Sequence, residues 1–333
     1  MRRRGLFLIV SAVALLVCAV SASGKAFAQQ GKKLTFYYVD HGNATPGYPY
    51  WPVYYKGIAD AAALLAPLGV EVKHLSAGEQ DLQTQAQMLK EAVAANPDGL
   101  VTTMRDPQSY ASILRPLIDK GVPIMAANID DPRPSGERIP YLGYYGVDYQ
   151  RSGADLAEAV IAYIVRTGGK QPRSALLISP TPMDGNRGWS EWFRGFGERL
   201  ANEYGTKSQT ITDLDGGQMV DFLQKNPNVD LILAHEGWVG YKYLSDLKGM
   251  GKSPGKDIYI ACISASSQIL YYIKDGSVIA AMDDQKYLQG FLPLFDLYLH
   301  LTKGGVHPVK VITEVIVDRT NVDSILQGDT SYR

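Results

Sequence analysis

The stretch "VEVKHLSAGEQDLQTQAQMLKEAVAANPDGLVTT", residues 70 to 103, joins two short apolar, β-branched runs through a helical pattern. "VEVKHL" and "DGLVTT" read as strands and "DLQTQAQMLKEAVAA" as the helix between them. A strand, helix, strand succession of this kind calls for two parallel strands with the helix crossing over one face of their sheet. The pattern extends in both directions. Upstream, "LTFYYV" precedes the helical "PYWPVYYKGIADAAALL"; downstream, "PQSYASILRPLIDKG" and "VPIMAA" follow. The result is β-α-β-α-β-α-β, a parallel sheet with helices on both faces.

A second series starts after "PYLGYYGVD". "YQRSGADLAEAVIAYIVRTG" reads as a helix, "SALLIS" as a strand, "GWSEWFRGFGERLANEYG" as a helix and "SQTITDL" as a strand. "GGQMVDFLQKNP", "VDLILAH", "VGYKYLSDLKGMG", "DIYIACIS", "SQILYYIKDG" and "VIAAMD" continue the alternation. Two such units in tandem, without a low-complexity linker, predict two lobes of similar pattern. The end of the chain, a long helix "YLQGFLPLFDLYLHLTKGG" and a strand "VKVITEVIVDR", is too little for a third domain and must complete sheets already begun. The economical path crosses between lobes near Tyr145 to Tyr149, near Asp283 to Lys286 and near Ile312 to Val317.

The first residues bear on where the protein works. "MRRRG", an apolar run from Leu6 to Val20 and "AFA" at Ala26 to Ala28 read as a signal peptide, residues 1 to 28, removed on export to the periplasm. The apolar run is too short to span a bilayer comfortably. "LLVC" ending at Cys18 resembles a lipoprotein box, but bulky Val17 argues against lipidation there; Arg3-Arg4 with Leu6-Phe7 keeps twin-arginine export open beside the general route. Removing the segment takes away four basic residues and no acid, leaving 29 basic against 34 acidic residues and a net charge of −5. That balance suggests neither a nucleic-acid nor an anionic-membrane partner. Cysteine falls to one, Cys262, inside the apolar "IYIACI", so no internal disulfide is available and the core must supply stability.

Ligands of open parallel sheets bind beyond the carboxyl ends of the strands. The loop "VDHGNATPGYPYWPVYYKG", residues 39 to 57, leaves the first strand with far more aromatic and hydrogen-bonding side chains than a strand-to-helix turn requires. The strand ends in order carry His41 with Tyr50 and Trp51, then Arg105 and Asp106, Asn128 and Asp130, Asp148, Pro180 to Arg187 with Trp189 just beyond, His235, Glu236 and Trp238, Ser264, and Asp283, Asp284 and Gln285. Aromatic faces with carboxylates, amides and guanidinium at their edges suit a small polyhydroxylated ligand. Structural roles compete for several of these. Asp106, Asp148 and Ser264 precede helical patterns and could be N-caps. Trp51 recurs with Tyr54, Ile58, Ala61 and Leu65 at helical spacing, so a core position is its rival role. One of Trp189 and Trp192 is expected in the core, and His41 by itself suits an ordinary loop histidine. Asp283-Asp284, two adjacent acids at a crossover, cost stability unless something pairs with them.

Enzyme signatures fail. "DLKGMGKS" has Asp246 where a phosphate loop needs its first glycine, "HEGWV" has Val239 where a zinc protease helix needs its second histidine, and "GWSEW" has Trp192 where a nucleophile elbow needs glycine. Five histidines and one mature cysteine make no metal cluster, and no cofactor is expected.

Taken together, "PYW" after the first strand, "DGLVTT", "GVPIMAANID", "YYGVD" before a glycine-bearing helix, "WFRGF" and above all "MDDQKYLQG" resemble the periplasmic sugar-binding proteins of bacterial ABC importers, of the ribose and galactose type. The resemblance runs from about Leu34 to Val317. It implies an α/β fold of two Rossmann-like lobes, each a parallel sheet flanked by helices, joined by a three-strand hinge. The first lobe would be 29–147 plus 286–313 and the second 148–285 plus 314–333. It implies a monomer that closes on a sugar or polyol and is recognised by a membrane permease. Carried over, Tyr50 and Trp51 would stack on the sugar; Asn128 and Asp148 would contact it from the first lobe and first crossover; Asn186 to Trp189, Glu236, Ser264 and Asp283 or Asp284 from the second. The family often has asparagine-aspartate where "HEG" stands and aspartate where Ser264 stands, which leaves the sugar's identity open. Three other roles for this fold are weighed. A sugar-responsive repressor conflicts with the export signal, a receptor feeding a chemoreceptor or sensor kinase would use the same cleft, and an exported enzyme would have only Glu236 and Asp283/Asp284 as acid and base.

Overall fold

Each short apolar run forms a strand and each helical pattern between them a helix laid on a sheet face. The computed structural model describes residues 33–42, 50–78, 81–180, 187–305 and 310–332. The signal segment 1–28, with Arg3-Arg4 and Cys18, lies outside the described residues, as do 43–49 and 181–186 of two expected binding loops. In chain order the first series is β1 (Leu34–Asp40), α1 (Tyr50–Leu65), β2 (Val70–Ser76), α2 (Leu82–Ala94), β3 (Gly99–Thr102), α3 (Pro107–Asp119), β4 (Ile124–Asn128) and β5 (Gly143–Gly146). The second is α4 (Tyr149–Arg166), β6 (Ser174–Ser179), α5 (Arg187–Tyr204), β7 (Lys207–Thr212), α6 (Gln218–Lys225) and β8 (Leu231–His235). After β8, α7 (Glu236–Trp238) runs through a π-helical turn at Val239–Tyr243 into α8 (Leu244–Gly249). β9 (Tyr259–Ile263), α9 (Ser267–Asp275), β10 (Ala280–Asp283), α10 (Lys286–Lys303), β11 (Lys310–Ile312), β12 (Val315–Asp318) and α11 (Val322–Leu326) complete the described chain.

Two six-stranded sheets result, ordered β11-β5-β4-β3-β1-β2 and β12-β10-β9-β8-β6-β7. The chain therefore passes from one sheet to the other after β5, after β10 and after β11. The first sheet is parallel throughout, whereas β12 lies antiparallel to β10, with Ala280 opposite Asp318. The two parallel-dominated sheets are as expected; the reversal of β12 is the detail the sequence did not indicate, and its cause is geometric. "VKVITEVIVDR", which reads as one strand, is two, broken at Thr313-Glu314. β11 leaves the first sheet at its carboxyl edge and enters the second from that sheet's carboxyl edge, with no helix to turn it round, so β12 runs against its neighbours. Thr313 fixes the passage: its N–H donates to Gly146 O (3.1 Å) and its hydroxyl to Asp284 O (2.7 Å).

Apolar side chains fill both faces of each sheet. Phe36, Tyr38, Trp51, Tyr54, Leu294 and Leu297 form one core of the first lobe, under α1 and α10; Val39, Leu89, Leu100, Leu114 and Ile124 form the other, under α2 and α3. The second lobe has matching cores, one under α4 and α5 and one holding the buried Cys262. Where α1 crosses α10, and α4 crosses α5, the backbones touch. A Cβ on Gly57 would strike the Tyr287 carbonyl, and one on Gly195 the Gln150 carbonyl, so glycine permits both approaches. Among the described residues no helix is long and apolar enough to cross a membrane.

Candidate functional site

The carboxyl ends of the two sheets face each other across a seam, and the groups meeting there come from both. From the first sheet, Asn128 ends β4 in the left-handed conformation (φ 61°), which turns its side chain out of the strand alternation. Its Nδ2 donates to the Tyr50 hydroxyl (2.6 Å) and to Gln289 Oε1 (3.1 Å), while its carbonyl accepts from Tyr144 and, across the lobes, from Tyr149 (2.6 Å). Gln289 in turn donates to the Asp284 carbonyl (2.6 Å) and to the Thr313 hydroxyl (3.3 Å). One amide network thus ties Tyr50 and Asn128 to two of the three crossovers.

From the second sheet come Glu236 at the end of β8, Ser264 at the end of β9 and Asp283-Asp284 at the end of β10. Ser264 also has positive φ (67°), and its hydroxyl approaches Asp284 Oδ1 at 3.4 Å. Asp283 accepts from the N–H (3.1 Å) and the side-chain amide (2.7 Å) of Gln285. In the middle stands Lys286, the first residue of α10, about 1% exposed. Its Nζ lies 3.3 Å from Glu236 Oε1, donates to the Ala265 carbonyl (3.2 Å) and sits 5.5 Å from the centre of the Tyr50 ring. Glu236 is equally buried; Lys286 and the Ser266 side chain stand near enough to favour its charged form, yet neither of its oxygens accepts a hydrogen bond of good geometry among the described residues. Such a group in a native fold calls for a donor from elsewhere.

Burial governs the ionisation of this cluster. It pushes the Asp284 carboxyl up to about 6 despite the pull of Lys286, and it raises Glu236 against the same pull. Burial alone would lower Lys286, but Glu236, Asp284 and Asp283 around it hold it above the usual lysine value, so it stays charged. Behind Glu236, His235 is driven down to about 3 by burial and by the Lys286 charge, and is therefore a neutral ring. His41 is likewise lowered by burial and by Arg105.

The structure sorts the expected residues into those it gathers and those it employs elsewhere. Tyr50, Asn128, Glu236, Ser264, Asp283 and Asp284 meet at the seam. Trp51 does not present an open face there. At 2% exposure it packs on the Gly42 backbone and among His41, Tyr50, Tyr54 and Tyr55, because α1 starts at Tyr50 and turns Trp51 and Tyr54 toward the sheet. The helical periodicity of Trp51 was the better guide. His41 bonds Thr103 Oγ1 (2.9 Å) and meets the Trp51 ring edge-on. Trp189 packs with Trp192, Phe193 and the ring of His235, directly behind Glu236. Asp106 and Asp148 take the helix-capping role that competed for them. Asp106 caps α3 through the Ser109 N–H (3.2 Å); Asp148 caps α4 through the Arg151 N–H (3.4 Å) and pairs with Lys310 (3.2 Å) at the surface. Each carboxylate is held through one oxygen by the helix it starts, and neither shares a described hydrogen bond with the cluster. Arg187 spans the lobes, pairing with Asp130 (2.9 Å) as well as with Glu191 on its own helix.

Sequence reasoning missed Lys286 and Gln289 as members of this cluster. Both stand in "MDDQKYLQG", and the signal was present: two adjacent acids at a crossover needed a cation, and Lys286 is two residues beyond them. A further acid lies at the third crossover. Glu314, bonded by the Ser152 hydroxyl, is pushed up to about 7 by burial, with repulsion from Asp155 and Asp148 adding to it. The folded state thus binds a proton that the unfolded chain releases near pH 4.5, so this contribution to stability is complete below that pH and is lost as pH rises through 7. Glu314→Gln is expected to flatten the fall in stability between pH 5 and 8 and to exceed the parent at pH 8 by about 1–2 kcal/mol, read from denaturant unfolding at both pH values.

Comparison with known proteins gives a consistent picture. A model of the periplasmic binding protein domain matches residues 43–305. The xylose/arabinose-binding protein XylF of Sulfolobus acidocaldarius is 25% identical over 293 residues, covering 83% of this chain and 68% of its own. A carbohydrate transporter from Acidothermus cellulolyticus, solved with myo-inositol, superposes with a TM-score of 0.72 at 20% identity, over 91% of this chain and all of that one. A LacI transcriptional regulator described from Bacteroides fragilis also scores 0.72, at 18% identity over 88% of this chain and 99% of its own. At such identities the solved structures speak for the shared fold.

Proposed function

This chain belongs to the periplasmic binding protein family, and we propose that it is an exported solute-binding protein that captures an uncharged sugar or polyol between its lobes and hands it to an ABC transporter permease. The family is one of binding proteins, so Glu236 and Asp283/Asp284 serve as acceptors for ligand hydroxyls rather than as catalytic acid and base. Residues 1 to 28 would direct the chain to the periplasm, where it would act as a monomer.

The observation that carries this reading is the Glu236 carboxylate: buried, charge-paired with Lys286, without an aligned donor, and placed where both sheets end. Ligand hydroxyls would supply the missing donors. Tyr50 and Asn128 offer a ring and an amide from the first lobe, and Ser264 and Asp284 a hydroxyl and a carboxyl from the second. A ligand that bonds to both lobes favours the closed arrangement by the difference between its contacts in the two states, and a permease can read that difference. The lobes 29–147 plus 286–313 and 148–285 plus 314–333 would move as units about the three crossovers, with Arg187–Asp130 joining them when closed.

The test is thermal unfolding and calorimetry of residues 29–333, stripped of co-purified ligand, against xylose, arabinose, ribose, glucose and myo-inositol. A saturable rise in melting temperature with at least one probe is expected. Glu236→Gln should weaken that binding by about 10- to 100-fold, the range for one charged hydrogen-bond acceptor. Absence of any response across the panel would remove the reading.

A further inference from the structure

We infer that Lys286 is a specificity residue: it stands in the ligand wall as the cation that excludes amine-bearing ligands from a site otherwise lined by acids. This rests on, and narrows, the function proposed above. Three carboxylates, Glu236 after β8 and Asp283 and Asp284 at the end of β10, two strands of the second sheet with β9 between them, lie in one buried cluster, each about 1% exposed. A seam of that composition would by itself recruit an ammonium group. Lys286 already occupies the position an ammonium would take, 3.3 Å from Glu236 and held by the Ala265 carbonyl. Its Nζ lies 5.5 Å from the centre of the Tyr50 ring, so its charge stands beside an aromatic group contributed by the other lobe. Glu236 keeps both oxygens without aligned donors, so the pairing cancels its charge while leaving its acceptor capacity for hydroxyls. A neutral hydroxyl meets a compensated acceptor there; an ammonium would stand against a lysine in a medium that screens poorly.

The two members of the pair should therefore move selectivity in opposite directions. Calorimetric affinities would be measured for D-xylose, D-ribose, D-glucose and myo-inositol, each beside the analogue with one hydroxyl replaced by an amine. The parent protein should prefer the neutral member of the pair it binds. Lys286→Met should raise the amine-to-neutral affinity ratio at least about tenfold, and Glu236→Gln, which removes the largest of the three acids' contributions to compensating the lysine, should lower it. The double variant should return the ratio toward the parent's. Equal losses for both members of a pair in both variants would overturn the assignment and leave Lys286 a purely structural role. A parent that prefers the amine would overturn it while leaving sugar binding intact. A parent that binds no probe would overturn the functional reading and this inference with it. Should Lys286→Met fail to fold, the direction of the Glu236→Gln shift decides alone.

Discussion

Trp51→Ala should destabilise the first lobe by about 3–5 kcal/mol, the range for removing a buried aromatic and leaving its cavity. The magnitude follows from its surroundings. Trp51 is 2% exposed, its ring lies on the Gly42 backbone, and His41, Tyr50, Tyr54 and Tyr55 crowd its edges and faces. The neighbours cannot close the gap easily, because Tyr54 is itself fixed by a 2.6 Å bond to the Tyr38 hydroxyl. Urea unfolding of the ligand-stripped protein should show the midpoint falling with the slope unchanged. Any loss of ligand affinity would follow through Tyr50, whose ring meets that of Trp51. A variant as stable as its parent but deprived of ligand binding would reverse this and return Trp51 to the ligand surface.

Lys286→Met should cost a further large amount, about 3–5 kcal/mol at pH 8, because it leaves acids without their cation in a buried site. The loss has a direction in pH. Without Lys286 the carboxyls of Glu236 and Asp284 rise further above their unfolded values, so the folded variant takes up protons as pH falls. Its deficit should be greatest above pH 7 and should shrink toward pH 5. Pairing the change with Glu236→Gln should recover part of it at pH 8. Denaturant titrations of parent, single and double variants at pH 5, 6, 7 and 8 provide the check; a deficit independent of pH would mean that the lysine contributes packing rather than charge compensation.

The elements of this protein were legible because hydrophobic periodicity is a local property. "VEVKHL" alternates and "DLQTQAQMLKEAVAA" repeats at helical spacing whatever else the chain does, and β2 and α2 formed there. The site was legible in part. The rule that ligands sit at strand ends pointed to Asn128, Glu236, Ser264 and Asp284, since strand ends can be counted off a sequence. At Asp106 and Asp148 the strand end and the helix N-terminus share the same few residues, and in each one carboxylate oxygen is taken up as the helix N-cap. The rule passed over Lys286 and Gln289 because these belong to a helix start, not a strand end.

What the sequence determined alone was the alternation of strands and helices, the two-lobed α/β plan and the neighbourhoods of the three crossovers. What only the tertiary structure decided was which groups meet. Glu236 and Lys286 are brought together from different lobes' elements, and Asn128 reaches Gln289 across 161 residues of chain. "VKVITEVIVDR" reads as one strand with a crossing near Ile312 to Val317, and only the structure splits it at Thr313-Glu314 into strands of different sheets, the second antiparallel to its neighbour. The reason is the same in each case. Propensity and periodicity act over a few residues, whereas partner choice depends on where the two sheets place their edges, and that is set by packing over the whole chain.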